Sequence, residues 1–138
     1  MTDMERVMQG VIPYLGIDGA DKAIEFYKRA FGAKDLGTMR TEDGKHLMHC
    51  QLEINGGALM ISDTVIMGGK QKPSDSYTMQ LVSHEGDMWW KRAIDAGCTV
   101  TTPLEVQFWG DRYGRFTDPF GISWALVEPG PENAKKAK

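Results

Sequence analysis

Cysteine is nearly missing: the 138-residue chain carries Cys50 and Cys98 and no others. They stand far apart, each within an apolar, strand-like stretch, which excludes a disulfide framework and a cysteine-type zinc site. Neither has an activating neighbourhood, so both are expected to be buried free thiols. Positive charge is not in excess either. Sixteen Lys+Arg stand against nineteen Asp+Glu, a net charge of −3, so the electrostatic footprint of a nucleic-acid partner is absent. The lysines of Lys135-Lys136-Ala137-Lys138 read as a solvated tail. No apolar run approaches the roughly 20 residues a bilayer crossing needs, and the opening Met1-Thr2-Asp3-Met4-Glu5-Arg6 lacks the apolar core of a signal peptide. The expectation is a cytoplasmic protein with no nucleic-acid or membrane partner. The P-loop, the glycine-rich dinucleotide fingerprint and the Gly-x-Ser-x-Gly elbow are also absent, which removes the usual signals of phosphoryl transfer, nicotinamide redox and serine hydrolysis.

What is present is an internal repeat. Gly32 and Gly97, 65 positions apart, each close an amphipathic helix. The first helix is predicted over about 19–31, with Ala23, Phe26, Tyr27, Ala30 and Phe31 on one stripe and Asp18 as N-cap. The second, over about 86–96, repeats the plan through Met88, Trp89, Trp90, Ala93 and Ile94. A strand precedes each helix (11–17 and 76–82), and three extended segments follow each: 34–41, 45–54 and 58–62, then 99–108, 113–117 and 122–127. Turn signals separate them, including Asn55-Gly56-Gly57, Gly110-Asp111-Arg112 and Asp118-Pro119-Phe120-Gly121. Each half therefore reads as βαβββ, with modules at about 7–66 and 75–128, the polar Gly/Pro segment 67–75 as linker, and 129–138 as a frayed, flexible tail.

Two βαβββ units in tandem, with Ala23-Ile24-Glu25-Phe26-Tyr27 leading to Phe31-Gly32 and Asp118-Pro119-Phe120-Gly121 leading to Trp124, resemble the vicinal oxygen chelate superfamily. That superfamily includes glyoxalase I, extradiol dioxygenases, and bleomycin and fosfomycin resistance proteins. The stretch Phe108-Trp109-Gly110-Asp111-Arg112-Tyr113-Gly114-Arg115-Phe116 resembles its PhnB-like branch. The resemblance spans about 11–128 and implies a single α+β domain. Its two modules would form a curved, cup-like mixed sheet with helices on the convex face, a ligand cavity inside, and commonly a homodimer.

The resemblance also implies where a metal would be held: by one His, Glu or Gln from the first strand and one from the last strand of each module, the N and O donors that divalent cations take. Carried over by spacing, the last-strand positions are Met60 and Ala125, and the first-strand positions lie near Ile12 or Pro13 and near Tyr77 or Thr78. Apart from a weak Thr oxygen none of these is a ligand, so no metal site and no cofactor are predicted.

Polar chemistry remains on the segment 45–54. Strict alternation puts Leu47, His49, Gln51 and Glu53 on one face, and Met48, Cys50, Leu52 and Ile54 on the other, toward the helices. His49, a residue type suited to general-base work, and Glu53 then point into the cavity or into solvent. At roughly 13 Å along a strand they cannot bond each other. The segment around the second hairpin supplies aromatic walls, Trp109 and Tyr113, and polar groups, Asp111 and Arg112, of the kind that orient a small ligand. With Tyr14 of the first strand and Gln51, the expected ligand-binding residues are Tyr14, Gln51, Trp109, Asp111 and Tyr113, and the expected catalytic residues are His49 and Glu53. Two functions stay open. One is metal-independent binding or sequestration of a small organic ligand. The other is a lyase, isomerase or dioxygenase-like reaction at a divalent ion held by a displaced set around His49 and Glu53.

Overall fold

The computed structural model describes residues 2–66, 68–72 and 74–136, with side chains through Asn133. Met67 and Pro73 of the expected linker lie outside the described residues, as do Ala137 and Lys138 of the tail. The chain forms two compact units, Met1–Lys72 and Pro73–Lys138. The first contains α1 (Asp3–Val7), β1 (Tyr14–Ile17), α2 (Ala20–Phe31), β2 (Lys34–Arg40), β3 (Leu47–Ile54) and β4 (Gly57–Asp63). The second contains β5 (Met79–Val82), α3 (Gly86–Ala96), β6 (Thr99–Val106), β7 (Arg112–Thr117), β8 (Ser123–Glu128) and α4 (Pro131–Lys136). The four-stranded sheets run β1-β4-β3-β2 and β5-β8-β7-β6, and in each the first and last strands pair in parallel while the rest pair antiparallel. The architecture is α+β, a βαβββ unit occurring twice, as the sequence predicts.

In the first unit α2 packs on the sheet, burying Ala20, Ala23, Ile24, Phe26, Tyr27, Ala30 and Phe31, the stripe its periodicity predicts. Gly32 closes α2 in the left-handed region at φ 62°, where a β-carbon would be strained. Asp18 is not the cap. Gly19 holds that position in a left-handed conformation without a side-chain bond. The Asp18 carboxylate is turned away to accept from the Thr64 hydroxyl and the Gln71 amide. Leu15 and Ile17 of β1, Cys50, Leu52 and Ile54 of β3, and Leu59 and Ile61 of β4 are buried, so this is the helix-covered face. In the second unit α3 packs on β8 and β6; Leu81, Phe116, Trp124 and Leu126 are buried, and Trp90 lies edge-on to Phe116 at 5.4 Å between ring centres. Gly114 lies within β7, where a β-carbon would fall 2.7 Å from the Trp90 ring.

Three further departures matter for function. First, the register places Tyr14 opposite Met60 but Gln80 opposite Ala125, so the last strands repeat at 65 residues and the first strands at 66. The extra position is absorbed between the helices, which have 12 and 11 residues. Second, β2 and β3 slip by one residue between the Met39–His49 and Arg40–Leu47 pairs. This β-bulge at Met48 reverses the alternation, so Leu47 is fully buried and Met48 is exposed. Third, the expected frayed end is in part a short helix, α4.

Candidate functional site

Alternation leaves one face of each sheet free of its α2 or α3 helix. On the first unit this open face carries Tyr14 from β1, Met60 and Ser62 from β4, and His49, Gln51 and Glu53 from β3. The β3–β4 register, which pairs Cys50 with Ile61, brings Ser62 beside His49, and the Ser62 hydroxyl donates to the Met48 carbonyl. Tyr14 reaches over both: its hydroxyl lies 3.0 Å from His49 Nδ1 and 2.8 Å from Ser62 Oγ.

The direction of these bonds follows from proton bookkeeping. The Met48 carbonyl can only accept, so Ser62 spends its one proton there. Ser62 must then accept from Tyr14, and the Tyr14 oxygen, its proton spent, must accept from His49 Nδ1–H. In the neutral ring Nε2 is left with a free lone pair, able to take a proton or a hydrogen bond from a bound molecule. Ser62 is 1% exposed and Tyr14 is 44% exposed, so the anchor of the relay is dry and its outer end is open. Spacing alone could not show Ser62, because only the register brings it beside His49.

Glu53 is held apart. Arg6 of α1 donates to both its carboxylate oxygens, at 2.7 and 2.8 Å, and the Asp3–Lys34 ion pair flanks it. The Met4 side chain approaches Gly37 and Gln51 lies against that glycine, so α1 covers the Glu53 end of the open face. The helix has a sequence signal: Thr2-x-x-Glu5 is a capping box, and Thr2 Oγ accepts from the Glu5 amide at 3.1 Å. His49 and Glu53 thus have separate partners and do not bond each other. His46 is exposed, its Nδ1 3.8 Å from Asp63, and His84 is exposed too. Asp63 itself is structural, accepting from the Ala20 and Leu47 amides at 3.0 and 2.7 Å. It forms part of a cleft of about 410 Å³ at the start of α2, away from the open face.

On the second unit the expected polar groups divide. Asp111 Oδ1 accepts from the Gly130 amide at 2.9 Å and from Asn133 Nδ2 at 2.7 Å, bonds that hold its carboxyl below the usual carboxylate range. Asn133 also donates to the Trp109 carbonyl. Asp111 therefore ties the β6–β7 hairpin to the C-terminal segment. Arg112, on the helix side of β7, donates to Glu128 at 2.9 Å and to Asp87 at 2.7 Å. Trp109 is 43% exposed and meets the Tyr113 ring at 5.8 Å, edge to face. Tyr113 shares the open face with Arg115 and Thr117. Asp118 accepts from the Phe120 and Ile122 amides and from Trp124 Nε1 at 2.8 to 3.0 Å, which makes Asp118-Pro119-Phe120-Gly121 the turn its sequence predicts. The thiols are buried; burial pushes Cys98 up to about 12 and raises Cys50 as well.

The register corrects the positions at which a metal would be held. Facing Met60 is Tyr14 and facing Ala125 is Gln80, rather than residues near Pro13 and Thr78. The set becomes a phenol engaged in a relay, a thioether, one amide and a methyl group. Such a set does not fit a divalent cation. Among the described residues no group of three or more His, Cys, Asp or Glu is gathered as a metal would need. No helix among the described residues is long and apolar enough to cross a membrane.

Comparison with known proteins adds the following. The family model described as "Glyoxalase/Bleomycin resistance protein/Dioxygenase superfamily" matches residues 11–126. An uncharacterized Mycobacterium bovis protein, Mb0911c, is 44% identical over 124 residues, covering 85% of this chain and 81% of the relative. The structure of PA1353 from Pseudomonas aeruginosa is similar at a TM-score of 0.71, with 23% identity over 88% of this chain and 98% of that one. A Bacillus cereus structure titled as a putative 3-demethylubiquinone-9 3-methyltransferase, PhnB protein, is similar at a TM-score of 0.68, with 18% identity over 87% and 99%. At these identities the two structures establish the fold alone.

Proposed function

The chain belongs to the Glyoxalase/Bleomycin resistance protein/Dioxygenase superfamily, and from that premise we propose that it binds or sequesters a small organic ligand without the metal its metal-dependent relatives use. One observation carries the reading: the residues paired across the first and last strands of each sheet, Tyr14 with Met60 and Gln80 with Ala125, are not a donor set for a cation. The polar groups around them are nonetheless organised. On the first unit the relay orients His49 on the open face, with the Tyr14 ring beside it at 5.6 Å. On the second unit, taken by itself, Trp109 and Tyr113 supply aromatic surface. Fixed polar groups and apolar walls are what a small-molecule site requires. We take the protein to work as a homodimer, which light scattering coupled to size exclusion reads directly.

The other reading, a divalent ion on a displaced set around His49 and Glu53, requires Glu53 to leave its two-point contact with Arg6. The deciding measurement is metal content of the native purified protein, paired with melting curves after chelation and after adding Ni²⁺, Zn²⁺, Fe²⁺ or Mn²⁺. A ligand held only by the folded state at about 100 times its Kd adds roughly 2.7 kcal/mol, well within reach of a melting curve. No metal and no shift is expected. Near-stoichiometric metal whose removal lowers the melting temperature overturns the proposal. With His49→Ala, ligand affinity should shift modestly, whereas loss of metal uptake would favour the displaced-ligand enzyme.

A further inference from the structure

On the open face of the second unit stands a cation that the reading above does not use. Arg115 lies on β7 opposite Ala125 of β8, and its side chain crosses β8 so that Nη2 donates to Ser123 Oγ at 3.0 Å and to Thr78 Oγ1 at 2.9 Å. Its Nε is buried and has no hydrogen-bond partner among the described residues. No carboxylate among the described residues pairs with it, in contrast to Arg112 three positions earlier, which holds two. A half-buried guanidinium with no counter-ion is costly in the free protein, and with Nε buried and Nη2 on the two hydroxyls, the donors left for an acceptor from outside are those of Nη1.

The two hydroxyls complete the argument. Each accepts from Nη2, which leaves each O–H proton free to donate. They stand 3.5 Å apart, so if one proton is directed at the other oxygen, the second still has no acceptor. Arg115, Thr78 and Ser123 together leave donors free, those of Nη1 and at least one hydroxyl proton, fixed around one positive charge. That chemistry suits an oxyanion, which can take a charge-assisted hydrogen bond from Nη1 and another from a hydroxyl while Nη2 stays on Thr78 and Ser123. Tyr113 is two residues away on the same strand face, with the Trp109 ring against it at 5.8 Å, and supplies apolar surface beside the charge. We propose that Arg115, with Thr78 and Ser123, is an oxyanion subsite, and that the ligand is a small organic acid whose carboxylate is held there while its apolar body lies along Tyr113. This rests on the small-molecule reading above and names the ligand class for it.

The test is calorimetric titration of the full chain with a panel of aromatic carboxylates, each paired with its uncharged carboxamide, on wild type, Arg115→Gln and Arg115→Met. In the supporting result a carboxylate binds wild type at least tenfold more tightly than its amide, and both variants lose that preference while remaining folded by near-ultraviolet circular dichroism. The unliganded variants should melt no lower than wild type, since removing the unpaired charge and the orphan Nε donor offsets the two bonds to Thr78 and Ser123. An arginine with a merely structural role would instead lower the melting temperature. If acids and amides bind alike, or if Arg115→Gln leaves the preference intact, the subsite is overturned and small-molecule binding stands. Absence of binding by every acid and amide up to millimolar concentration overturns both. Should Arg115→Gln not fold, Ser123→Ala, which removes one of the hydroxyl donors, replaces it: loss of the preference for acid over amide supports the subsite, and an unchanged preference overturns it.

Discussion

Replacing Ser62 by Ala should reverse the proton order of the Tyr14–His49 relay. The hydroxyl is 1% exposed and makes two bonds, one from Tyr14 at 2.8 Å and one to the Met48 carbonyl. At about 0.5–1.5 kcal/mol each, with the Met48 carbonyl left without its donor, the substitution should cost roughly 1–3 kcal/mol of stability. Its more diagnostic effect is on His49. Without Ser62 the nearest acceptor for the Tyr14 proton is His49 Nδ1, so the bond at 3.0 Å turns round and the ring takes the Nε2–H form. A single bond of about 1 kcal/mol corresponds to a roughly fivefold preference between tautomers, enough to change which form dominates. Nitrogen-15 long-range correlation spectra distinguish the forms directly. The chain has three histidines, His46, His49 and His84, so assignment needs only single His→Gln variants. The spectra should be recorded at increasing alkaline pH until the pattern no longer changes. Wild type should show Nδ1–H at His49 and Ser62→Ala should show Nε2–H. An Nε2–H ring in wild type, or an unchanged tautomer in the variant, refutes the proton order and with it the claim that Nε2 faces the ligand as an acceptor.

Other consequences follow from the same geometry. Asp118→Asn keeps the shape of the turn but sets an amide N–H₂ against Trp124 Nε1–H or against the Phe120 and Ile122 amides, at a cost of about 2–3 kcal/mol in urea titration. Trp124→Phe in that background should recover part of it, and a loss below the error of the titration would count against the assigned bonds. Gly114→Ala places a β-carbon 2.7 Å from the Trp90 ring and 2.9 Å from Leu104 Cα. Overpacking of this kind costs about 1–3 kcal/mol, and Trp90→Leu should relieve it; a variant that melts like wild type would contradict the packing. Because burial raises the Cys98 thiol from 9.0 to about 12 in the folded chain, its contribution to stability is complete below pH 9 and is lost as pH rises toward 12. Alkaline melting curves should therefore be flatter for Cys98→Ala, and both thiols should resist a disulfide reagent until urea is added; fast reaction in the folded state would refute their burial.

Most of the fold was legible because its signals are local. The stripe on α2, Gly32 at its end, and the Asn55-Gly56 turn, where both residues have positive φ (51° and 81°), each depend on neighbours within one turn of chain. What was missed depends on pairing between strands. Strict alternation assigned Leu47 to the face of His49, but the bulge at Met48 moved it to the core. Spacing pointed near Tyr77 or Thr78 for the partner of Ala125, but the partner is Gln80: the first-unit partner of Met60 is Tyr14 rather than Pro13, and the first strands repeat at 66 rather than 65. A period-two pattern cannot register one inserted residue, and each such insertion inverts every assignment beyond it.

The two arginines of Asp111-Arg112-Tyr113-Gly114-Arg115 show the same limit at the level of chemistry. Three positions apart on a strand, they must point to opposite faces, and that parity was readable. Which one is satisfied was not. Arg112 draws its carboxylates from Asp87 and Glu128, 25 and 16 residues away, and neither spacing marks a motif. Arg115 meets Thr78, 37 residues away, and Ser123, hydroxyls that occur throughout the chain without consequence. The sequence reading therefore placed Arg112 and Asp111 among the groups that orient a ligand, whereas both are engaged with protein partners that hold the hairpin, the helix and the C-terminal segment together. A charged residue advertises a ligand by what it lacks, and a missing partner is a property of three strands at once. For that reason Arg115, which no spacing distinguishes, is the residue on which binding should depend most.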